Sequence, residues 1–222
     1  MKSIAIDGPS GAGKSTIARA LAKDISFIHV DTGALYRAIG LFAHRNDIPD
    51  TDEGLLLPRL SQIEVELTYI DGEQRVILLG EDVSRDIRRP EMSMAASNVS
   101  AMPGVRSFLL DLQRKMADRY NVVMDGRDIG TVVLPGADLK IFITATAEDR
   151  ARRRHAEFLE KGEDVDFDWV LEDMKERDRR DSVREASPLK QADDAILLDT
   201  TGYTLRDSIA LVLKTVRESG IL

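Results

Sequence analysis

GPSGAGKS, residues 8–15, fits the pattern G-x-x-x-x-G-K-[ST], with the apolar run SIAI at 3–6 before it and a helical stretch at 14–23 after it. Ile17, Ala18, Leu21 and Ala22 fall on one face of that helix. Gly8, Gly11 and Gly13 carry no Cβ, so the loop that runs through Pro9, Ser10 and Ala12 can turn its N–H groups inward on a phosphate. The helix start at Lys14, Ser15 and Thr16 adds partial positive charge. In such a loop the lysine, Lys14, reaches the β- and γ-phosphates, and the hydroxyl, Ser15, is a ligand for Mg²⁺. The stretch therefore predicts a strand, a phosphate loop and a helix, with a magnesium nucleotide as ligand.

Working outward, strands and helices alternate. FIHVDTG at 27–33 reads as a strand ending in a loop, and ALYRAIGLFAHR continues as a helix. NVVMD at 121–125 reads as another buried strand, and LKIFITA at 139–145 and AILLD at 195–199 as further strands. A charged helix starts near Glu148, and LRDSIALVLKTVRES closes the chain as an amphipathic one. Five apolar strands alternating with helices predict an α/β fold, a five-stranded parallel sheet with helices on both faces. Ligands of such sheets bind beyond the carboxyl ends of the strands, where DGPSG, DTG, DGRD and LDTT occur. VELTYIDGEQRVILLGEDVS, 65–84, breaks the rhythm, because its alternation around Asp71–Gly72 signals a hairpin. Residues 46–90 are expected to form an inserted subdomain.

Composition narrows the function. The 222 residues carry a formal net charge of -8, which disfavours a nucleic-acid-coating protein. No apolar run approaches the ~18 residues of a membrane span. The sequence has no cysteine and 3 histidines, so disulfides, thiolate metal sites and a His-rich metal site are disfavoured. A cytoplasmic protein is expected, and a monomer, since no long heptad run suggests a coiled-coil partner. The basic residues lean to arginine, 22 against 9 lysines, and arginine presents a planar fork suited to phosphate.

A phosphate loop names a nucleotide and not a reaction. No Asn-Lys-x-Asp guanine reader occurs, and NVVMD continues as GRD without the paired acids of large ATPase motors. A small kinase or a nucleotide-sensing module remains. A kinase needs a second anion site, and three stretches offer one. DTGALYR ends on Arg37, MDGRDIGTVV puts Arg127 between Asp125 and Asp128, and KERDRRDSVR carries Arg177, Asp181 and Arg184 at i, i+4 and i+7 on one helix face. Spacing alone favours a solvated face of i,i+4 ion pairs.

Taken in order, GPSGAGKST, DTGALYR, DGRDIGTVV and KERDRRDSVR resemble the bacterial cytidylate kinases, nucleoside monophosphate kinases of the P-loop class, over nearly the whole chain. The resemblance implies MgATP-dependent phosphorylation of CMP and dCMP. It implies an acceptor-phosphate clamp of Arg37, Arg127 and Arg184, with Arg127 acting in transfer alongside Lys14. It implies base readers in Asp128, Arg106, Ser97 and Thr32, and sugar or base contacts from Arg177 and Asp181. An ionised Asp128 would accept from the N4 amino group of cytosine and repel the carbonyl of uracil. RARRRHAEF, 150–158, resembles the mobile lid. Arg153 and Arg154 align with the family's transition-state pair, although surface pairing with Glu157 is an open alternative. The expected division is a core of 1–45, 91–150 and 186–222, an acceptor-binding insert of 46–90 and a lid of 151–185. The rivals are a UMP/CMP or other small-substrate kinase and a P-loop module without an acceptor.

Overall fold

The computed structural model describes residues 1–70 and 73–222. In chain order the elements are β1 (Ser3–Asp7), α1 (Lys14–Asp24), β2 (Ile28–Asp31), α2 (Thr32–Arg45), α3 (Glu53–Leu56), β3 (Val65–Ile70), β4 (Glu73–Leu78) and β5 (Glu81–Asp82). There follow α4 (Pro90–Val99), α5 (Pro103–Arg119), β6 (Val122–Asp125), β7 (Leu139–Thr144), α6 (Ala147–Glu160), α7 (Phe167–Val183), β8 (Ile196–Asp199) and α8 (Leu205–Glu218). They gather into two compact units, Val30–Tyr120 with Met1, and Lys2–His29 with Asn121–Leu222.

The second unit is built on the predicted sheet. Its five strands lie in the order β2-β6-β1-β7-β8. Pairing is parallel from β6 through β1 and β7 to β8. Short apolar runs become central strands because both faces must be covered, and Ile4, Ile6, Val123, Ile141 and Ile143 are fully buried. Ile17, Leu21, Val212 and Val216 of α1 and α8 pack into the same core. β8 lies at the edge, and only Leu198 of its four residues is buried. Among the described residues no helix is long and apolar enough to cross a membrane.

The first unit has its own core, drawn from α2, α4, α5 and the inserted sheet. β3 and β4 pair antiparallel, Val65 opposite Leu78 and Leu67 opposite Val76, and β5 adds a third strand. The predicted turn Asp71–Gly72 lies outside the described residues. Val76 and Leu78 on β4 and Val65 on β3 face the core, together with Leu35 and Ile39 of α2 and Leu109 of α5. Met102 extends the chain before Pro103 opens α5.

Two local expectations change. The Asp-Thr-Gly turn is not a loop. Asp31 caps α2, its side chain accepting from Ala34 N, so the helix starts directly at Thr32. Arg184 does not continue the face of Arg177 and Asp181, because α7 stops at Val183 and Arg184 has extended dihedrals. No glycine or proline marks that stop in sequence.

Leu109 is fully buried in the first unit. Leu109→Ala is expected to destabilise the protein by about 2–5 kcal/mol in urea unfolding, the range for a cavity the core only partly refills.

Candidate active site

In the second unit the phosphate loop leaves β1 and enters α1 in the predicted way. Gly8 has φ 146°, and a Cβ there would stand 1.9 Å from the carbonyl oxygen of Ile143 on β7. The loop thus lies directly on the neighbouring strand, at a distance only glycine permits. Gly13 has φ 79° and forms the N-cap of α1.

Lys14 is buried, and its Nζ donates to the carbonyl of Pro9 at 2.6 Å. Burial, reinforced by the Arg127 charge, pushes its ammonium well below the usual lysine range, while Asp125, Asp7 and Asp181 pull it back. A bound triphosphate would do what these carboxylates do, more strongly, so the site favours an anion at Nζ.

The next residue, Ser15, donates to Asp125 Oδ2 at 2.6 Å, and His29 Nε2 is 2.7 Å from Asp125 Oδ1. Asp125 ends β6 and is buried. Hydroxyl and carboxylate are hard oxygen donors, and Mg²⁺ takes one or two of these from a protein and the rest from phosphate and water. The pair therefore fits magnesium. Among the candidate ligands only Ser15 was foreseen; Asp125 was visible as the acid closing NVVMD, but its partner lies 110 residues away.

Beyond β6 the chain makes a tight turn into a single π-type turn at Ile129–Val133, with Val133 N bonded to Asp128 O and Leu134 N to Ile129 O. Asp7 holds this segment. Its carboxylate accepts from Ile129 N at 2.8 Å and Gly130 N at 2.7 Å. Arg127 leaves the turn and donates from Nε to Asp181 Oδ2 at 2.9 Å. Burial alone would raise the Asp181 carboxyl, but the charges of Arg127, Arg177 and Arg184 outweigh it and hold it below the ordinary range. Four of the foreseen acceptor residues, Arg127, Arg177, Asp181 and Arg184, are therefore one electrostatic cluster. Arg184 Nε also donates to Ser187 O at 2.6 Å. Asp128 is buried beside Asp7.

Arg150, which opens RARRR, was not singled out by the sequence. It is buried and makes four hydrogen bonds, one to the carbonyl of Ala145, one to that of Ser10 in the phosphate loop and two to the Asp178 carboxylate on α7. One guanidinium thus ties the loop to the helix of Arg177 and Asp181. Arg153 donates to Asp149 and to the carbonyl of Thr200 at 2.7 Å. Arg154 pairs with Glu157 and lies 4.6 Å over the Phe158 ring.

The first unit carries the other foreseen residues. Arg37 donates from NH2 to Asp31 Oδ2 at 2.7 Å. Arg106 donates to the carbonyl of Ser100 and sits 5.6 Å from the ring of Tyr36, the residue before Arg37. Thr32 is buried in the first turn of α2, and Ser97 is half-buried on α4.

The Asp7 carboxyl is raised from 3.8 to about 6, chiefly by burial and further by Asp128, against the two N–H donors and Lys14. The folded state therefore holds this proton more tightly than the unfolded chain. The stability it contributes is present below pH 4 and lost as pH rises through 6. Asp7→Asn, which cannot titrate, should remove that fall. Urea unfolding of both proteins from pH 4.5 to 7.5 should show the wild type losing ground to the variant as pH rises, and parallel curves would refute it.

The family model for cytidylate kinase matches residues 4–218. The chain is 49% identical over 211 residues to a cytidylate kinase of Caldicellulosiruptor bescii, covering 95% of this chain and 93% of that protein. It is 47% identical over 220 residues to a cytidylate kinase of Carboxydothermus hydrogenoformans, covering 99% of each. A solved structure of an uncharacterised protein from Eubacterium ventriosum shares the fold, with a TM-score of 0.51 at 14% identity over 98% of this chain and 99% of that one. The match runs through both compact units and takes in the phosphate loop, the Asp181 cluster and the start of α2 alike, so the chain belongs to the cytidylate kinase family.

Proposed function

We propose that the protein transfers the γ-phosphoryl group of ATP to CMP or dCMP, giving ADP and the cytidine diphosphate. Family membership supplies the substrate class. The observation that carries the chemistry is the hydrogen-bonded pair of Arg127 and Asp181, with the charges of Arg177 and Arg184 acting on the same carboxylate, in the unit that also holds Lys14. A phosphate dianion is a natural complement to guanidinium groups gathered in this way.

In this reading the loop Gly8–Thr16 holds ATP, and Lys14 exchanges its bond to Pro9 for the phosphates. Arg37, Arg127 and Arg184 bind the acceptor phosphate, and Arg177 and Asp181 bind the sugar and base. Asp128, Arg106, Ser97 and Thr32 read the cytosine. Ser15 and Asp125 would hold Mg²⁺, which would supply positive charge against the phosphates. The acceptor oxygen is already anionic, so the protein needs no dedicated base. Its work is placement and charge neutralisation. Arg153 and Arg154 act in transfer once they leave Thr200 and Glu157. Residues 151–185 serve as a lid that excludes water, and 46–90 as the acceptor-binding insert set into a core of 1–45, 91–150 and 186–222. The enzyme works as a cytoplasmic monomer, in keeping with a cysteine-free composition.

The test is a coupled assay with MgATP against CMP, dCMP, UMP, AMP and GMP. Strong preference for CMP and dCMP is expected; equal use of UMP would favour a UMP/CMP kinase, and no acceptor turnover a sensing module. Arg127→Ala should lower kcat/KM for CMP by about 100-fold or more with an unchanged circular dichroism spectrum. Asp128→Asn should cut the preference for CMP over UMP by about tenfold, the lower part of the range for one base-edge contact.

A further inference from the structure

No single residue of the three-stranded sheet has been given a role so far, yet one of its side chains reaches the start of α2. Gln74 lies on β4, and its carboxamide makes two bonds to the main chain of a single residue. Asp31 N donates to Gln74 Oε1 at 2.9 Å, and Gln74 Nε2 donates to Asp31 O at 3.3 Å. The amide occupies both peptide groups of Asp31 as a neighbouring strand would.

Asp31 in turn faces two ways. Oδ1 accepts from Ala34 N at 3.1 Å and caps α2, and Oδ2 accepts from Arg37 NH2 at 2.7 Å. Arg37 lies back over its own helix start. A Cβ on Gly33 would stand 3.1 Å from Asp31 Oδ1 and 3.2 Å from Arg37 NH1. The Arg37 Nε is buried and makes no hydrogen bond. Among the bonds described, the guanidinium is therefore oriented by Asp31, and Asp31 by Gln74.

The anchor at the far end is firm. Gln74 shares a strand face with Val76 and Leu78, both buried in the core. Val76 is fixed further, its N–H by Ser84 Oγ at 2.9 Å and its carbonyl by Val83 N at 2.9 Å. A rigid strand thus ends in an amide that sets the backbone from which Arg37 is aimed.

We infer that Gln74 is a positioning residue for acceptor binding: the inserted sheet, through Gln74 and Asp31, holds Arg37 in the orientation that takes the acceptor phosphate. The inference rests on the assignment of Arg37 to that phosphate. It gives the insert a specific task, and it concerns a residue that touches no substrate itself.

The experiment is steady-state kinetics with full-length wild type, Gln74→Ala, Gln74→Leu, Arg37→Ala and the Gln74→Ala/Arg37→Ala double variant, with thermal melts of each. Gln74→Leu keeps the bulk and a strand-compatible side chain, so it serves if the alanine variant folds poorly. Either single Gln74 variant should raise KM for CMP about tenfold, a loss in keeping with two hydrogen bonds. KM for ATP and kcat should stay within about twofold, a split that a purely structural role would not produce. On the Arg37→Ala background Gln74→Ala should add nothing, since its effect passes through Arg37. Additive effects, or lowered melting with KM for CMP unmoved, would overturn the inference alone. An unmoved KM for CMP in Arg37→Ala would overturn both the inference and the reading of Arg37 on which it stands.

Discussion

A buried ammonium must find negative charge, and among the described residues Lys14 finds it without an ion pair of its own. Its hydrogen bond goes to a neutral carbonyl, that of Pro9, while Asp7, Asp125 and Asp181 surround it at longer range. That arrangement leaves the ammonium poorly compensated and ready for an anion, and each of the three carboxylates has a second duty. Asp7 holds the turn at 129–130, Asp125 holds Ser15, and Asp181 gathers the arginines. The phosphate loop, the candidate cation ligands and the cluster around Asp181 are therefore parts of one charge balance. A change at any of them alters the field at Lys14.

The chain's overall acidity and its local wealth of arginine belong to the same balance. Several of the arginines rest on carboxylates. Arg37 rests on Asp31, Arg127 on Asp181, Arg150 on Asp178 and Arg153 on Asp149. Arg150 stands out because it is buried with its partner bonds complete, and its work is to hold the loop at Ser10 against α7. The exposed pairs of KERDRRDSVR, such as Arg179 with Glu176, are ordinary helix-surface pairs and contribute little.

Much of the fold was legible because its signals are local. Glycine spacing, apolar runs of strand length and the alternation of VELTYI are all read within ten residues. What could not be read depends on distance along the chain. Asp7 meets Ile129 across 122 residues, Ser15 meets Asp125 across 110, and Gln74 meets Asp31 across 43. No spacing rule brings such partners together. The cap at Asp31 was mistaken for a loop because Asp-Thr-Gly also suits a turn, and only the bond to Ala34 N decides between them. The stop at Val183 was missed because Asp-Ser-Val-Arg carries no breaker. Within the candidate site, Arg127, Arg177, Asp181 and Arg184 stand in two motifs the sequence singled out, whereas Arg150 hid in a run of arginines that includes the exposed Arg152.

The proximity of Gly8 to the Ile143 carbonyl bears on how the gene can vary. Even one added carbon would drive into main-chain atoms of a central strand, which no rotamer change relieves. Every missense codon at this position meets the same obstacle regardless of its chemistry. A fully randomised library selected for a folded, nucleotide-binding product would return glycine there.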